Sequence, residues 1–538
     1  MRKWNRLTFL RLGLVGGLLS LHFLTVFNAA RQKSPTADEY SYVATGYLYD
    51  KTWDFRLDRT HPPLIRLLIG LPLQFLHPWT PPLQEELWDT PLSYTHGYQL
   101  GWEMLLGGHN RWETLLLWSR LPIVLLSCGL ALLIYAWARD LYGEAGGCIA
   151  LFFYCFCPNM AAHAGLATMD LGISFFYFCT LYLFYRYWKS RRVADLVFCG
   201  CALGLALTAK VTALLLIPVV TLAGLWAVAP EGKSLKSADL KMYLRRTIVM
   251  WIAALATLLL IYGYPFRACY FWDTATNVFY KSSHATGGGG EIPGMPHFNY
   301  AFYLWGNYSS QGWPYYFLLA ALVKTPLPVW IALLLVLLFT RRRWIGLPDF
   351  LIVGGIAVLH FAAVFNRVNI GVRHVLPFYP LLYLYMGRLA DLWKGKILRT
   401  VLLLLGLWYV GEYAWIYPDY LAYFNELAGG PANGQTVLDD SNLDWGQDLG
   451  DLQAIQKQYP NEPFYVATNW MFVPRAFHVE AKLLTEAQIA EPPKGIVAVG
   501  KHWAIRHRIH PRSPYYFDWL EKYRPFGEVG HSILLYRF

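Results

Sequence analysis

Thr36-Ala37-Asp38-Glu39-Tyr40-Ser41-Tyr42 follows closely on an apolar run, Phe9 to Phe27, and how this stretch is read decides the rest of the chain. Thr36 and Glu39 have the spacing of a capping box, so a helix is expected to begin here. Behind the cap, Tyr40, Val43, Ala44, Tyr47 and Leu48 recur along one helical face. The expectation is an amphipathic helix lying on a membrane, its N-terminal acids at the water boundary. Acids are favoured at a helix start in any case, and the cap accounts for Glu39. Asp38 has no part in the cap. Two adjacent carboxylates at that depth are costly unless they bind something, which makes Asp38 the stronger candidate for chemistry.

Outward from this stretch the chain reads as membrane protein. It has 538 residues, 56% hydrophobic and only 15% charged, and its apolar runs recur from Phe9 to Ile416. Many of these runs approach the roughly 20 residues that cross a bilayer. The first carries no small-residue cleavage site and is expected to stay as a signal anchor. A formal charge of +11 would suit nucleic acid if it formed one patch. Instead the basic residues sit in short gaps between apolar runs, as in cytoplasmic loops, and no nucleic-acid partner is expected. The eight cysteines fall mostly inside apolar runs. Cys155/Cys157 and Cys199/Cys201 are two apart and share no helix face, so packing is expected, without disulfides or a zinc site.

Arg2, Lys3 and Arg6 put the N-terminus on the cytoplasmic side and Asp38 outside. Leu121 to Ala138 is expected to run inward with Pro122 at its start, and Gly146 to Met160 outward. Pro62 to Leu76 is short and broken by Pro72, so it is expected to lie in the interface or to re-enter rather than to cross. Continuing the alternation gives about eleven spans, with the basic loops around Arg191, Lys241, Arg342 and Lys396 inside. The expected fold is a polytopic α-helical membrane domain over residues 1–417. A small α/β domain over 418–538 follows on the outer side, with short apolar runs at Phe464 to Ala467, Ile496 to Val499 and Ile533 to Tyr536.

The outer face then collects acids Asp38, Glu39 and Asp170 with cations Arg59, Arg120, Lys210, Lys324, Arg367 and Arg373. Outer cations run against the charge rule for loops and are therefore informative. Lys324 precedes Thr325-Pro326-Leu327-Pro328, which must bend its helix. A carboxylate facing several cations suits one reaction. The acid takes a proton from an acceptor hydroxyl while the cations stabilise a departing phosphate. His61, held extended by Pro62, is aimed into the same region, and Pro62 is expected to open the next helix. Three other signals are set aside. Asp440-Ser441-Asn442-Leu443-Asp444 lacks the glycine and glutamate of a calcium loop, with Trp445 and Asp451 in their places. Gly287 to Gly290 fits a lid better than a phosphate cradle. His502, His507 and His510 among arginines fit a solvated basic face.

Asp38-Glu39 with His61-Pro62-Pro63-Leu64 resembles the first external loop of the protein O-mannosyltransferases and their bacterial relatives, GT-C-type membrane glycosyltransferases. Ser119-Arg120-Leu121-Pro122, Ala167-Thr168-Met169-Asp170, Thr208-Ala209-Lys210, Lys324 to Pro328 and Gly371-Val372-Arg373-His374 extend the likeness in order along the chain. Pro418 to Asn425 and Asp440 to Gln447 are similar to the tail of bacterial members. The resemblance implies a polyprenyl-phosphate sugar as donor, Asp38 as general base, and inversion at the sugar carbon. Glu39 and His61 accompany Asp38 as catalytic candidates, and Asp170 is a possible second acid. Arg120 matches a family arginine near the donor phosphate; Lys210, Lys324 and Arg373 are assigned to that phosphate by position. No obligatory cofactor or metal is implied, and a divalent metal stays open. The acceptor is a hydroxyl on protein, lipid or glycan, and the implied site is the outer face of a bacterial plasma membrane. The chain has no obvious β-trefoil insert, which leaves a lipid-modifying transferase of the aminoarabinose type as an alternative. A carrier of lipid-linked sugars is a further one.

Overall fold

The computed structural model of the chain describes all residues except 1–5, 89–92, 229–236, 264–268, 284–301, 341–345, 469, 486–487, 489–490 and 508–518. The glycine run Gly287 to Gly290 and His510 therefore lie outside the described residues, as do Lys233, Lys236 and Arg341 to Arg343 of the basic loops. The first helix, α1, spans Arg6–Gln32 and carries the first apolar run. It is followed by α2 (Ala37–Thr52), α3 (Leu64–Gly70), α4 (Leu73–Leu76), α5 (Ser93–Leu106), α6 (Trp112–Cys155), α7 (Pro158–Ala164), α8 (Met169–Ser190) and α9 (Val193–Ala209).

Among the described residues, five helices are long and apolar enough to cross a bilayer, and two bent helix pairs raise the number to seven. The bent pairs are α7 with α8, at 112°, and Tyr316–Lys324 with Leu327–Phe339, at 104°. In the second, Pro326 and Pro328 make the bend expected after Lys324. The chain is a multi-pass membrane protein. Length alone undercounts the expected runs, because α6 is a hairpin. Gly143 leaves helical geometry at φ 76°, ψ −177°, and Ser127 on one limb meets Tyr154 Oη on the other at 2.7 Å. The runs at 121–138 and 146–160 are thus the two limbs of one folded-back helix. Pro122 does not start it, since the helix begins at Trp112 and Pro122 lies within it.

The expected amphipathic helix α2 exists, but it does not lie on a surface. Tyr40, Val43, Ala44, Tyr47 and Leu48 are buried, and so are Ser41, Tyr42, Thr45, Gly46 and Tyr49. Two close approaches explain this. A Cβ at Gly70 of α3 would stand 2.2 Å from the Gly46 carbonyl carbon. A Cβ at Gly101 of α5 would stand 1.8 Å from the Tyr40 carbonyl oxygen. Only glycine permits backbones this near, so α2 is wedged between α3 and α5. The run 62–76 forms α3 and α4, starting at Leu64 rather than Pro62.

Beyond Trp415 the chain makes short 3-10 turns, Tyr420–Ala422, Glu426–Ala428 and Asp440–Asn442, whose residues are largely buried. A hairpin of β1 (Phe302–Leu304) and β2 (Asn307–Ser309) precedes them in sequence. The expected C-terminal α/β unit is present as a five-stranded mixed sheet of β3 (Phe464–Ala467), β4 (Lys482–Leu483), β5 (Ile496–Gly500), β6 (Gly527–Val529) and β7 (Ile533–Arg537). Its order is β4-β3-β5-β7-β6, with β3 parallel to β5 and β7 antiparallel to it. The two central strands pair through Ala498 opposite Leu535. Of the expected solvated basic face after β5, Lys501 and His502 are buried instead, with Lys501 Nζ 3.0 Å from Glu528 and His502 stacked on Trp470, while Arg508, His510 and Arg512 lie outside the described residues.

Candidate active site

Asp38 stands in the first turn of α2 with its side chain 16% exposed. Tyr98 Oη of α5 donates to its Oδ1 at 3.0 Å, and Arg373 Nη1 donates to its Oδ2 at 2.7 Å. Tyr42 Oη, one turn along α2, is 3.4 Å from the same Oδ2. Arg373 comes from a 3-10 turn, Val372–Val375, and its Nε donates to Ser441 Oγ at 3.0 Å. Its guanidinium lies over the Trp445 ring, 4.2 Å from the centroid. The C-terminal segment therefore aims the arginine that faces the first external acid.

Glu39, one residue on, is wholly buried and does something else. Its Oε2 accepts from Thr36 N at 2.9 Å and from Thr36 Oγ1 at 3.0 Å, and its Oε1 accepts from Ala167 N at 2.7 Å. Arg120 grips both oxygens, Nε to Oε1 at 2.7 Å and Nη2 to Oε2 at 2.6 Å. The remaining Arg120 donors reach the carbonyls of Ala30, Lys33 and Ser34. A guanidinium has five N–H groups, and all five are engaged. The expected phosphate role of Arg120 fails on this geometry, since no donor is left. Among the described residues the Glu39 carboxylate hydrogen-bonds only to its cap, this arginine and the Ala167 amide, the pattern of a structural acid.

Asp170 begins α8 and is 1% exposed. Lys210, the extended residue that ends α9, places Nζ 2.6 Å from Asp170 Oδ1. Arg373 Nη1 stands 3.7 Å from Asp170 Oδ2, so this one arginine bridges Asp38 and Asp170. Three histidines surround the cluster. His61, His163 and His374 each lie within electrostatic reach of Asp170, Lys210 and Arg373. Each keeps a buried ring nitrogen without a hydrogen-bond partner, as do Asp170 Oδ2 and Thr168 Oγ1. A buried polar atom left unpaired costs about 1–3 kcal/mol. Such unpaired atoms can receive a polar group.

His61 is held in place by a loop that sequence reading passed over. Asp58, fully buried, pairs with the equally buried Arg66 at 3.0 Å and accepts from Ser41 and Thr60 hydroxyls. Arg66 anchors the His61 loop, donating also to the Asp58 carbonyl and to Thr60 Oγ1. Burial first, then the neighbouring Lys210 and Arg66, push the His61 imidazole well below its usual range, so it is neutral there. Lys324 is placed apart from the acids. Its Nζ donates to the carbonyls of Leu421 at 2.8 Å and Asn442 at 2.6 Å and lies over the Phe424 ring. It pins the C-terminal segment to the bent helix pair, and the phosphate role expected for it is not supported. His163, Tyr98, Ser441 and Trp445 were missed. His163 stands close before the Asp170 motif, and Ser441 and Trp445 lie within the Asp440 to Gln447 likeness; Tyr98 carried no signal.

The arrangement offers one partly exposed carboxylate, a second buried one, two cations and three histidines with unpaired ring nitrogens. The cations can bind an anionic group, and Asp38 can receive a proton from an acceptor beside it. Among the described residues no cluster of three or more histidine, cysteine or acidic side chains is arranged to hold a metal ion.

Residues 103–261 match the sequence family described as dolichyl-phosphate-mannose-protein mannosyltransferase. No curated protein matches. Among solved structures, ArnT from Cupriavidus metallidurans bound to undecaprenyl phosphate is similar over 97% of this chain and 98% of its own, at 10% identity and a TM-score of 0.50. The Archaeoglobus fulgidus oligosaccharyltransferase is similar over 88% of this chain and 64% of its own, at 12% identity and a TM-score of 0.45. The sugar-donor-bound protein O-mannosyltransferase complex of S. cerevisiae is similar over 55% of this chain and 39% of its own, at 14% identity and a TM-score of 0.36. At such identities the likeness is one of fold.

Proposed function

We propose that this multi-pass membrane protein of GT-C fold is a glycosyltransferase that moves a sugar from a polyprenyl-phosphate carrier to a hydroxyl acceptor on the outer face of the membrane. The observation that carries the reading is Arg373 bridging Asp38 and Asp170, with Lys210 beside them and partnerless histidine nitrogens around them. Lys210, Arg373 and the unpaired nitrogens of the surrounding histidines hold the donor phosphate. The acceptor oxygen attacks the sugar carbon from the opposite side, its proton passes to Asp38, and the bonding pair of the broken C–O bond leaves on the phosphate. One displacement inverts the carbon. Asp38 is preferred to Asp170 as base because it is reachable, whereas Asp170 is buried under Lys210.

The sugar is taken as a mannose-like hexose, which the sequence match over 103–261 supports. The full-length likeness to a protein that binds undecaprenyl phosphate supports the carrier and keeps a lipid acceptor as the second reading. The C-terminal unit and the active site are assigned to the extracytoplasmic side, in line with the basic loops expected inside. The test is turnover of polyprenyl-phosphate mannose by the purified protein in detergent, wild type against Asp38→Asn. Release of the carrier phosphate by wild type alone supports both the class and the base. Equal turnover by both sinks Asp38 as base, and none by wild type with several lipid-linked sugars sinks the transferase reading.

A further inference from the structure

We propose that Tyr98 is a positioning residue for this reaction, fixing the Asp38 carboxylate from the side opposite Arg373. The proposal rests on the reading of Asp38 as base. Arg373 and the longer contact from Tyr42 both fall on Oδ2, which leaves the other oxygen unheld and the carboxylate free to turn about its last bond. Tyr98 Oη, 3.0 Å from Oδ1, holds the other. Hydrogen bonds to an ionised acceptor are the short and strong ones, so two from opposite sides set the plane of the carboxylate and the direction of its remaining lone pairs. A phenol suits the task better than a second cation, because it donates without adding the positive charge that would weaken a base.

The packing shows that the contact is built in. Tyr98 lies between Gly97 and Gly101, the two α5 glycines that meet the first turns of α2. A Cβ at Gly101 would strike the Tyr40 carbonyl, and one at Gly97 would stand 3.1 Å from Ser41 Oγ. The helix that carries the hydroxyl is thereby held at backbone contact against the helix that carries the acid. Tyr94, one turn earlier, packs edge-on against Tyr98 at 4.9 Å and brings its own hydroxyl to 3.3 Å from that of Tyr98. Burial and the Asp38 charge raise the Tyr98 phenol well above its ordinary range, so it stays a donor throughout the working pH range.

The experiment compares wild type, Tyr98→Phe and Gly101→Ala in donor turnover across pH. Tyr98→Phe keeps the ring and the packing and removes only the hydroxyl. Its expected result is a fall in kcat of roughly 10- to 100-fold, the range for a hydrogen bond to a charged group, with the donor KM unchanged. The acidic limb of the pH–rate profile should also move to higher pH, because the ionised carboxylate has lost a donor. Gly101→Ala, which pushes the intact hydroxyl away, should move that limb the same way. A limb left in place in Tyr98→Phe overturns the proposal, as does a loss expressed in donor KM alone. The two readings fail separately: turnover surviving Asp38→Asn removes the base, whereas an inactive Asp38→Asn beside an unaltered Tyr98→Phe removes only the positioning role.

Discussion

Asp38 and Glu39 are neighbours in sequence, and each is paired with an arginine from a distant part of the chain, yet the two pairs are opposites. Glu39 and Arg120 are sealed in, with every donor of the guanidinium and both oxygens of the carboxylate engaged. Asp38 and Arg373 are joined through one contact at 2.7 Å, both are about a tenth or more exposed, and Arg373 Nη2 makes no hydrogen bond among the described residues. A closed pair can only hold structure together. An open pair keeps capacity for something that arrives. The difference is one of satisfaction rather than of charge, and it separates a joint from a site.

The contrast breaks hardest at the closed pair. Arg120→Met leaves Glu39 ionised and unmatched in the interior and frees the carbonyls of Ala30, Lys33 and Ser34. Breaking a buried pair from one side costs about 3–5 kcal/mol, so the expected outcome is loss of folded protein, read as yield and monodispersity after extraction. Normal yield with altered donor binding would reverse the assignment. Asp38→Asn, at the open pair, should fold like wild type and lose about 10²- to 10⁴-fold in turnover, the contribution of a general base. A variant that misfolds there would show that the two pairs are the same kind of object after all.

A smaller effect belongs to Arg373 itself. Arg373→Ala removes the bridge between Asp38 and Asp170 and one of two cations near the expected phosphate. The donor KM should rise by roughly 10- to 100-fold, as for the loss of a charge-assisted contact, while protein yield holds. Lys210→Met is expected to act in the same direction. Unchanged donor dependence in both would remove phosphate binding from this cluster and return it to a structural network.

How much of this the sequence disclosed follows the same division. Lys210 and Arg373 stood out because cations on the outer side of apolar runs are exceptions to a strong rule, and Asp38 because the capping box accounts for its neighbour Glu39 and not for it. The strands at 464–467, 496–500 and 533–537 were legible as short apolar runs between polar ones. Arg120 was misjudged because nothing local reveals how many donors a guanidinium has already engaged; its five partners come from residues 30 to 39. Lys324 was misjudged for the same reason, its two carbonyls arriving from Leu421 and Asn442. The stripe on α2 was real but incomplete, since Gly46 and Gly101 act through backbone approach and leave no mark in a hydrophobic pattern. Tyr98 reaches Asp38 across 60 residues and carries no motif at all.

A third arrangement sharpens the comparison with the smallest effect. Lys33, just beyond α1, meets Asp448 at 2.7 Å and Asp451 at 3.3 Å and also pairs with Asp419, tying the first helix to the C-terminal segment. Here one cation serves three acids. Burial penalises the lysine charge, but the three carboxylates outweigh it and raise its proton affinity. The surplus negative charge falls on the most buried acid. Burial first, with Asp419 and Asp451 adding to it against the opposing pull of Lys33, pushes Asp448 up to about 7. The folded state therefore binds a proton that the unfolded chain releases near the ordinary aspartate value. Stability from this group is present in full below that value and is lost as pH rises through about 7. Between pH 5 and 8 the melting temperature should fall by about 1–3 °C, and Asp448→Asn, which keeps the contacts to Lys33 and Ser532 within reach, should flatten the slope. A melting temperature that rises over that window would mean the lysine satisfies all three acids, and the tether would then belong with the closed pair of Glu39 and Arg120.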